Sequence, residues 1–156
     1  MLDIYIPKLT THPVLRIRKK GDTFEITKKS PLKDDASEQE EQTITLTKEE
    51  FSELAILPGK RLRKIRYYYP INGQLAEIDL FLDDLEGLAL ADFEFSSLKE
   101  KESFQMPDFC LADVTQEESI AGGFLAGKKY SDIKSFLDKY NYKKLKKYGR
   151  NLNFWR

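Results

Sequence analysis

Leu62-Arg63-Lys64-Ile65-Arg66-Tyr67-Tyr68-Tyr69 and Leu75-Ala76-Glu77-Ile78-Asp79-Leu80-Phe81-Leu82 flank Pro70-Ile71-Asn72-Gly73. Asn-Gly favours a tight hairpin turn, whose central residues need positive φ, so the two runs read as paired antiparallel strands. Side chains two apart on a strand share a face. Lys64 with Arg66, and Glu77 with Asp79, are therefore charged pairs, each on one side of its strand. The same spacing recurs in Arg16-Ile17-Arg18, Thr27-Lys28-Lys29 and Asp92-Phe93-Glu94. Cations fill the Arg16, Lys29 and Lys64 stretches, and carboxylates fill those at Glu77 and Asp92. If these faces line one cavity, its basic wall suits a polyanion and its acidic wall a divalent metal. The alternative is an open sheet whose charged face meets bulk water, and the alternation alone leaves both open.

Outward from the hairpin, Val14 to Lys19 and Thr23 to Lys29 bracket Lys20-Gly21-Asp22, a second hairpin. Leu15, Ile17, Phe24 and Ile26 take one face there, while Arg16, Arg18, Glu25, Thr27 and Lys29 take the other. Leu2 to Pro7 alternates as a strand that starts almost at once. The acidic segment from Ser30 to Gln42 reads as a loop running into a strand over Gln39 to Leu46. Thr47 to Glu50 forms a capping box for a helix whose Phe51, Leu54 and Ala55 cover an outer sheet face. Leu88 to Phe95 is the last clear strand. Ser97 with Glu100, and Thr115 with Glu118, are further capping signals, the second for a helix ending near Gly127. Ser131 opens a helix with Ile133, Phe136, Leu137 and Tyr140 at helical spacing, followed by a basic aromatic tail from Tyr142 that reads as a solvated helix end with packed aromatics.

The 156 residues suffice for one domain with its own core, and 40% hydrophobic content supports one. Charged residues make up 33% but cancel to zero net charge, which disfavours a nucleic-acid binder relying on overall basicity. Cys110 is the single cysteine, expected to be a buried and inert small residue. His12, in Thr-Thr-His-Pro, reads as a solvent-facing turn residue rather than a general base. No stretch approaches the apolar length of a membrane span, so a cytoplasmic protein is expected.

Arg16-x-Arg18, Gly21-Asp22 through Thr27-x-Lys29, Lys64-x-Arg66-Tyr67, Glu77-Ile78-Asp79-x-Phe81, Gly87-Leu88 through Asp92-x-Glu94, and Asp113-Val114-Thr115 occur in this order. Together they resemble the CYTH family, the triphosphate tunnel metalloenzymes, over Leu2 to Ala126. The resemblance implies an α+β fold: an eight-stranded antiparallel β-barrel with helices packed outside, its tunnel domain over 1–130, with 131–156 a helix and tail of the same domain. It implies metal-dependent hydrolysis of a triphosphate, inorganic or organic, in the bore, or cyclisation of a nucleoside triphosphate as in other members.

By that resemblance Arg16, Arg18, Lys29, Lys64 and Arg66 bind phosphate; Arg suits a bidentate grip, Lys an adaptable point charge. Asp79, Asp92 and Glu94 match the metal-facing acids, with Mg2+ or Mn2+ the expected ion for oxygen ligands. Glu77 and Glu41 are the candidate catalytic acids, Glu77 sharing the interior face of the metal acids and Glu41 being the interior acid left on its strand. Two departures stand out. After the acidic loop, the family's Glu-x-Glu is Gln39-x-Glu41. The family's opening Glu-x-Glu-x-Lys strand is missing ahead of Leu2, so a barrel short of its first stave is expected, with weakened catalysis or a non-catalytic triphosphate-binding role. Its open edge would offer a route to a homodimer.

Overall fold

The computed structural model describes residues 1–31 and 39–146. Most of the acidic loop and the end of the basic tail lie outside the described residues. Seven antiparallel strands form one sheet: β1 (Leu2–Ile6), β2 (Leu15–Lys20), β3 (Thr23–Pro31), β4 (Gln39–Leu46), β5 (Lys60–Ile71), β6 (Gln74–Phe81) and β7 (Ala89–Phe93). Their spatial order is β4-β3-β2-β1-β5-β6-β7. The sheet does not close into the expected barrel, since the ladder between its two ends, β4 and β7, is not made among the described residues.

Both expected hairpins form. Gly21, Asn72 and Gly73 adopt positive φ at the turns, the conformation for which these residue types are suited. β1 corrects one expectation. It lies in the middle of the sheet, paired with β2 on one side and β5 on the other, so neither of its edges is left open. Asp3 and Tyr5 lie opposite Arg18 and Arg16 and share the charged face. Asp3-x-Tyr5-x-Pro7 thus stands at the spacing of Glu-x-Glu-x-Lys, with one acid shortened, one replaced by a phenol and the lysine by proline. β1 brings Asp3 and Tyr5 to the charged face, in a sheet of seven strands where eight make the full barrel.

Alternation divides the core in two. On the outer face Ile4, Ile17 and Phe24 pack under Phe51 of α1 (Lys48–Leu54), with the Phe24 and Phe51 ring centroids 5.2 Å apart. Thr47 and Glu50 complete the predicted capping box. On the inner face Tyr5, Leu62, Phe81 and Leu88 pack against Leu125 of α3 (Gly122–Leu125) and against Ile133, Phe136 and Leu137 of α4 (Tyr130–Asp138). Short helix α2 (Leu98–Glu102) is capped by Ser97 as expected. Thr115 does not cap a helix. Its N–H and hydroxyl both donate to Asp113 Oδ1, at 2.9 and 2.6 Å, an Asx-type turn that outcompetes the cap. Cys110 is half-buried rather than buried, and lost hydration pushes its thiol pKa up.

Candidate active site

The site is built from strand register. Arg66 stands directly opposite Asp79, Tyr68 opposite Glu77, and Glu77 opposite Asp92, so three strands deliver one cation and three carboxylates to one face. Arg66 donates from Nε to Asp79 Oδ1 at 2.7 Å and from Nη2 to Asp79 Oδ2 at 2.6 Å. Its Nη1 donates to Glu77, and Nη2 also reaches Asp92 Oδ2 at 3.2 Å. Lys64 donates to the same Asp79, which is almost fully buried. Burial alone would raise the Asp79 carboxyl, but the hydrogen bond from Arg66 and the Lys64 charge hold it below the usual range.

Across β1, Arg18 donates from Nε and Nη2 to the two oxygens of Asp3 at 2.6 and 2.8 Å. Asp3 was not among the residues singled out in the sequence. The signal was its parity with Tyr5, hidden because Leu-Asp-Ile-Tyr-Ile reads as an apolar strand with one incidental charge. Lys29 contacts Glu41 across the β3–β4 register. Lost hydration, with Arg16 and Arg18 nearby, pushes Lys29 down to about 8, while Asp92 and Glu94 pull it back. That influence reaches from β3 to β7 and the residue beyond it, five places apart in the sheet order, as a curled trough requires. Arg16 differs from the other cations. Its nearest carboxylate is Glu25 at 3.6 Å, and its Nε is buried with no hydrogen-bond partner among the described residues.

The predicted cations therefore converge on one face with Glu41, Glu77, Asp79 and Asp92. Glu94 lies one residue beyond β7, exposed, at the parity of Asp92. As the side chains stand, no three His, Cys, Asp or Glu among the described residues are gathered as a metal site. The reason is visible at Arg66, whose guanidinium occupies the space between Glu77, Asp79 and Asp92. Lost hydration raises the Asp92 carboxyl, and the Asp79 and Glu77 charges add to it, while Lys64 and Arg66 oppose. The apolar floor at Tyr5, Leu62 and Phe81 closes the trough beneath these groups. His12 lies apart from them, its Nδ1 3.2 Å from Glu118.

The CYTH domain family matches residues 3–107, from within β1 to beyond α2. The chain belongs to the CYTH family. This CYTH protein is 29% identical over 124 residues to the inorganic triphosphatase of Nitrosomonas europaea, covering 78% of this chain and 80% of that protein. The crystal structure of the inorganic triphosphatase NE1496 superposes with a TM-score of 0.58 at 27% identity, covering 81% of this chain and 84% of the other. A crystal structure titled as the hypothetical protein NE1496 matches equally, at 0.58 and 27%. Because the family match starts inside β1, the strand carrying Asp3 and Tyr5 is part of the CYTH domain.

Proposed function

We propose that this CYTH protein hydrolyses triphosphates in the trough with a divalent cation, Mg2+ or Mn2+. The observation carrying this reading is the convergence of Arg16, Arg18, Lys64 and Arg66 with Glu77, Asp79 and Asp92 on one concave face above an apolar floor. Phosphoryl transfer needs little covalent help from a protein; positioning and charge neutralisation do most of the work. Arg16 offers its Nε–H, which has no partner among the described residues, to a phosphate oxygen. Arg18, fixed by Asp3, presents its remaining N–H groups in a set orientation, and Lys64 and Arg66 add charge from the neighbouring strand.

Glu77, Asp79 and Asp92 turn oxygen-only carboxylates toward one cationic group, that of Arg66, and such donors fit a hard cation. Asp79, Asp92 and Glu94 would hold it, with Glu77 beside them. When bound, such an ion neutralises phosphate charge and lowers the pKa of its water. Glu77 and Glu41 orient Arg66 and Lys29, the cations that they touch. Inorganic triphosphate is the favoured substrate, supported by the likeness to a protein named inorganic triphosphatase.

The test is phosphate release from tripolyphosphate, ATP and thiamine triphosphate with Mg2+ or Mn2+. Turnover that Arg66→Ala and Asp79→Asn each reduce at least a hundredfold supports the reading. Binding without turnover of any of them, or cyclic AMP formed from ATP, overturns it.

A further inference from the structure

Three acids from two strands surround one guanidinium. Arg66 spends Nε, Nη1 and Nη2 on Asp79, Glu77 and Asp92, and Lys64 takes a further bond to Asp79. Burial works against the Arg66 charge, yet Asp79, Glu77 and Asp92 outweigh it and raise its pKa. The side chain is only 12% exposed, so it cannot trade these partners for water at little cost. A divalent cation held by Asp79 must displace Arg66, which occupies both of its oxygens. Equally, any phosphate that is to be gripped by Arg66 must draw it from its carboxylates, which strips Glu77 and Asp92 of the cation they contact and leaves Asp79 to Lys64.

Building on the proposed triphosphatase reading, we propose that Arg66 is a placeholder cation, so that metal and triphosphate bind with strong positive coupling. Each ligand alone has to break the Arg66 and Lys64 ion pairs without replacing them. Together they exchange partners: the carboxylates pass to the metal, the guanidinium and ammonium to phosphate. Arg16 is the first point of attachment, since among the described residues it alone of the predicted phosphate-binding cations has no carboxylate within hydrogen-bond distance. The coupling is a free energy shared by the two sites, and it acts equally in both directions.

Binding measurements test this without turnover. Mn2+ is titrated by electron paramagnetic resonance in the absence of any phosphate, and imidotriphosphate is titrated calorimetrically in the presence of EDTA. Arg66→Met is expected to tighten Mn2+ binding at least fivefold. Arg63→Met removes the same charge from the opposite face of β5, where Arg63 pairs with Asp83, and is expected to change it less than twofold. Asp79→Asn, which removes the carboxylate shared by Arg66 and Lys64 and leaves Arg66 only Glu77 and Asp92, is expected to tighten metal-free imidotriphosphate binding at least fivefold. Should Arg66→Met not fold, the Asp79→Asn titration decides alone. Unchanged or weaker binding in either variant, or an equal gain in Arg63→Met, overturns the placeholder role. Failure of hydrolysis would leave these binding outcomes standing, so the two readings fail separately.

Discussion

Asp3 and Arg18, opposed across the β1–β2 register, are joined by two parallel hydrogen bonds of 2.6 and 2.8 Å, with Asp3 wholly buried and Arg18 nearly so. Breaking one partner of such a pair strands the other charge, at a cost of about 3 kcal/mol. Asp3→Asn is expected to lose about that much at pH 7, measured by urea unfolding. Burial alone would raise the Asp3 carboxyl, but Arg18 holds it below the usual range. Its stabilisation is therefore whole above the unfolded value of about 4 and fades as pH falls through the lower native value. The gap between wild type and Asp3→Asn should narrow only in that acid range.

Arg16→Met should separate stability from binding. The Nε of Arg16 is buried without a partner among the described residues, and an unsatisfied donor costs about 1–3 kcal/mol. Methionine fills similar space without that donor. The melting temperature is expected to hold or rise, while imidotriphosphate affinity with Mg2+ falls at least tenfold. A variant that melts earlier and still binds would show that Arg16 serves the fold.

Lys29 sets a pH limit on binding. Its ammonium is pushed down to about 8, with lost hydration the chief cause. A bound polyanion favours the charged form, so above that value binding must take up a proton and affinity falls by up to tenfold per pH unit. The contact with Glu41 also favours the charged form, so the fall should begin no lower than about pH 8. Calorimetric titration with Mg2+ and imidotriphosphate should show it in wild type. Lys29→Arg, charged throughout, should remove this component.

How far the sequence reached depended on whether the signal was local. Asn72-Gly73 and Lys20-Gly21-Asp22 fix their hairpins within a few residues, and alternation around them assigns Lys64, Arg66, Glu77 and Asp79 to one face. Lys29 rather than Lys28 was also legible, since Lys28 pairs with Leu15 and Gln42 on the other side. Asp3 was not, because its meaning comes from Arg18 on another strand. Thr115 misled because Asp113, two residues back, offers a competing acceptor that composition does not rank. The position of Arg66 among Glu77, Asp79 and Asp92 follows from the register of three strands, which no single stretch encodes.

Gly122 tests how the trough floor is assembled. It opens α3 beneath β1, and a Cβ there would collide with Tyr5 Oη and lie 3.2 Å from Cζ. Tyr5 is held between the sheet and α3, its phenol pKa raised to about 12 chiefly by lost hydration. Overpacking of this kind costs about 1–3 kcal/mol, whereas alanine in a helix gains up to about 1 kcal/mol over glycine. The collision outweighs the helical gain, so Gly122→Ala alone should destabilise. Tyr5→Phe removes the colliding oxygen and leaves only the ring carbon Cζ to adjust. Adding Gly122→Ala to Tyr5→Phe should therefore cost less than half of what it costs in wild type, measured as a double-mutant cycle by urea unfolding. An unchanged cost would mean that the strain falls elsewhere along α3, and that Tyr5 does not set the distance between β1 and the floor.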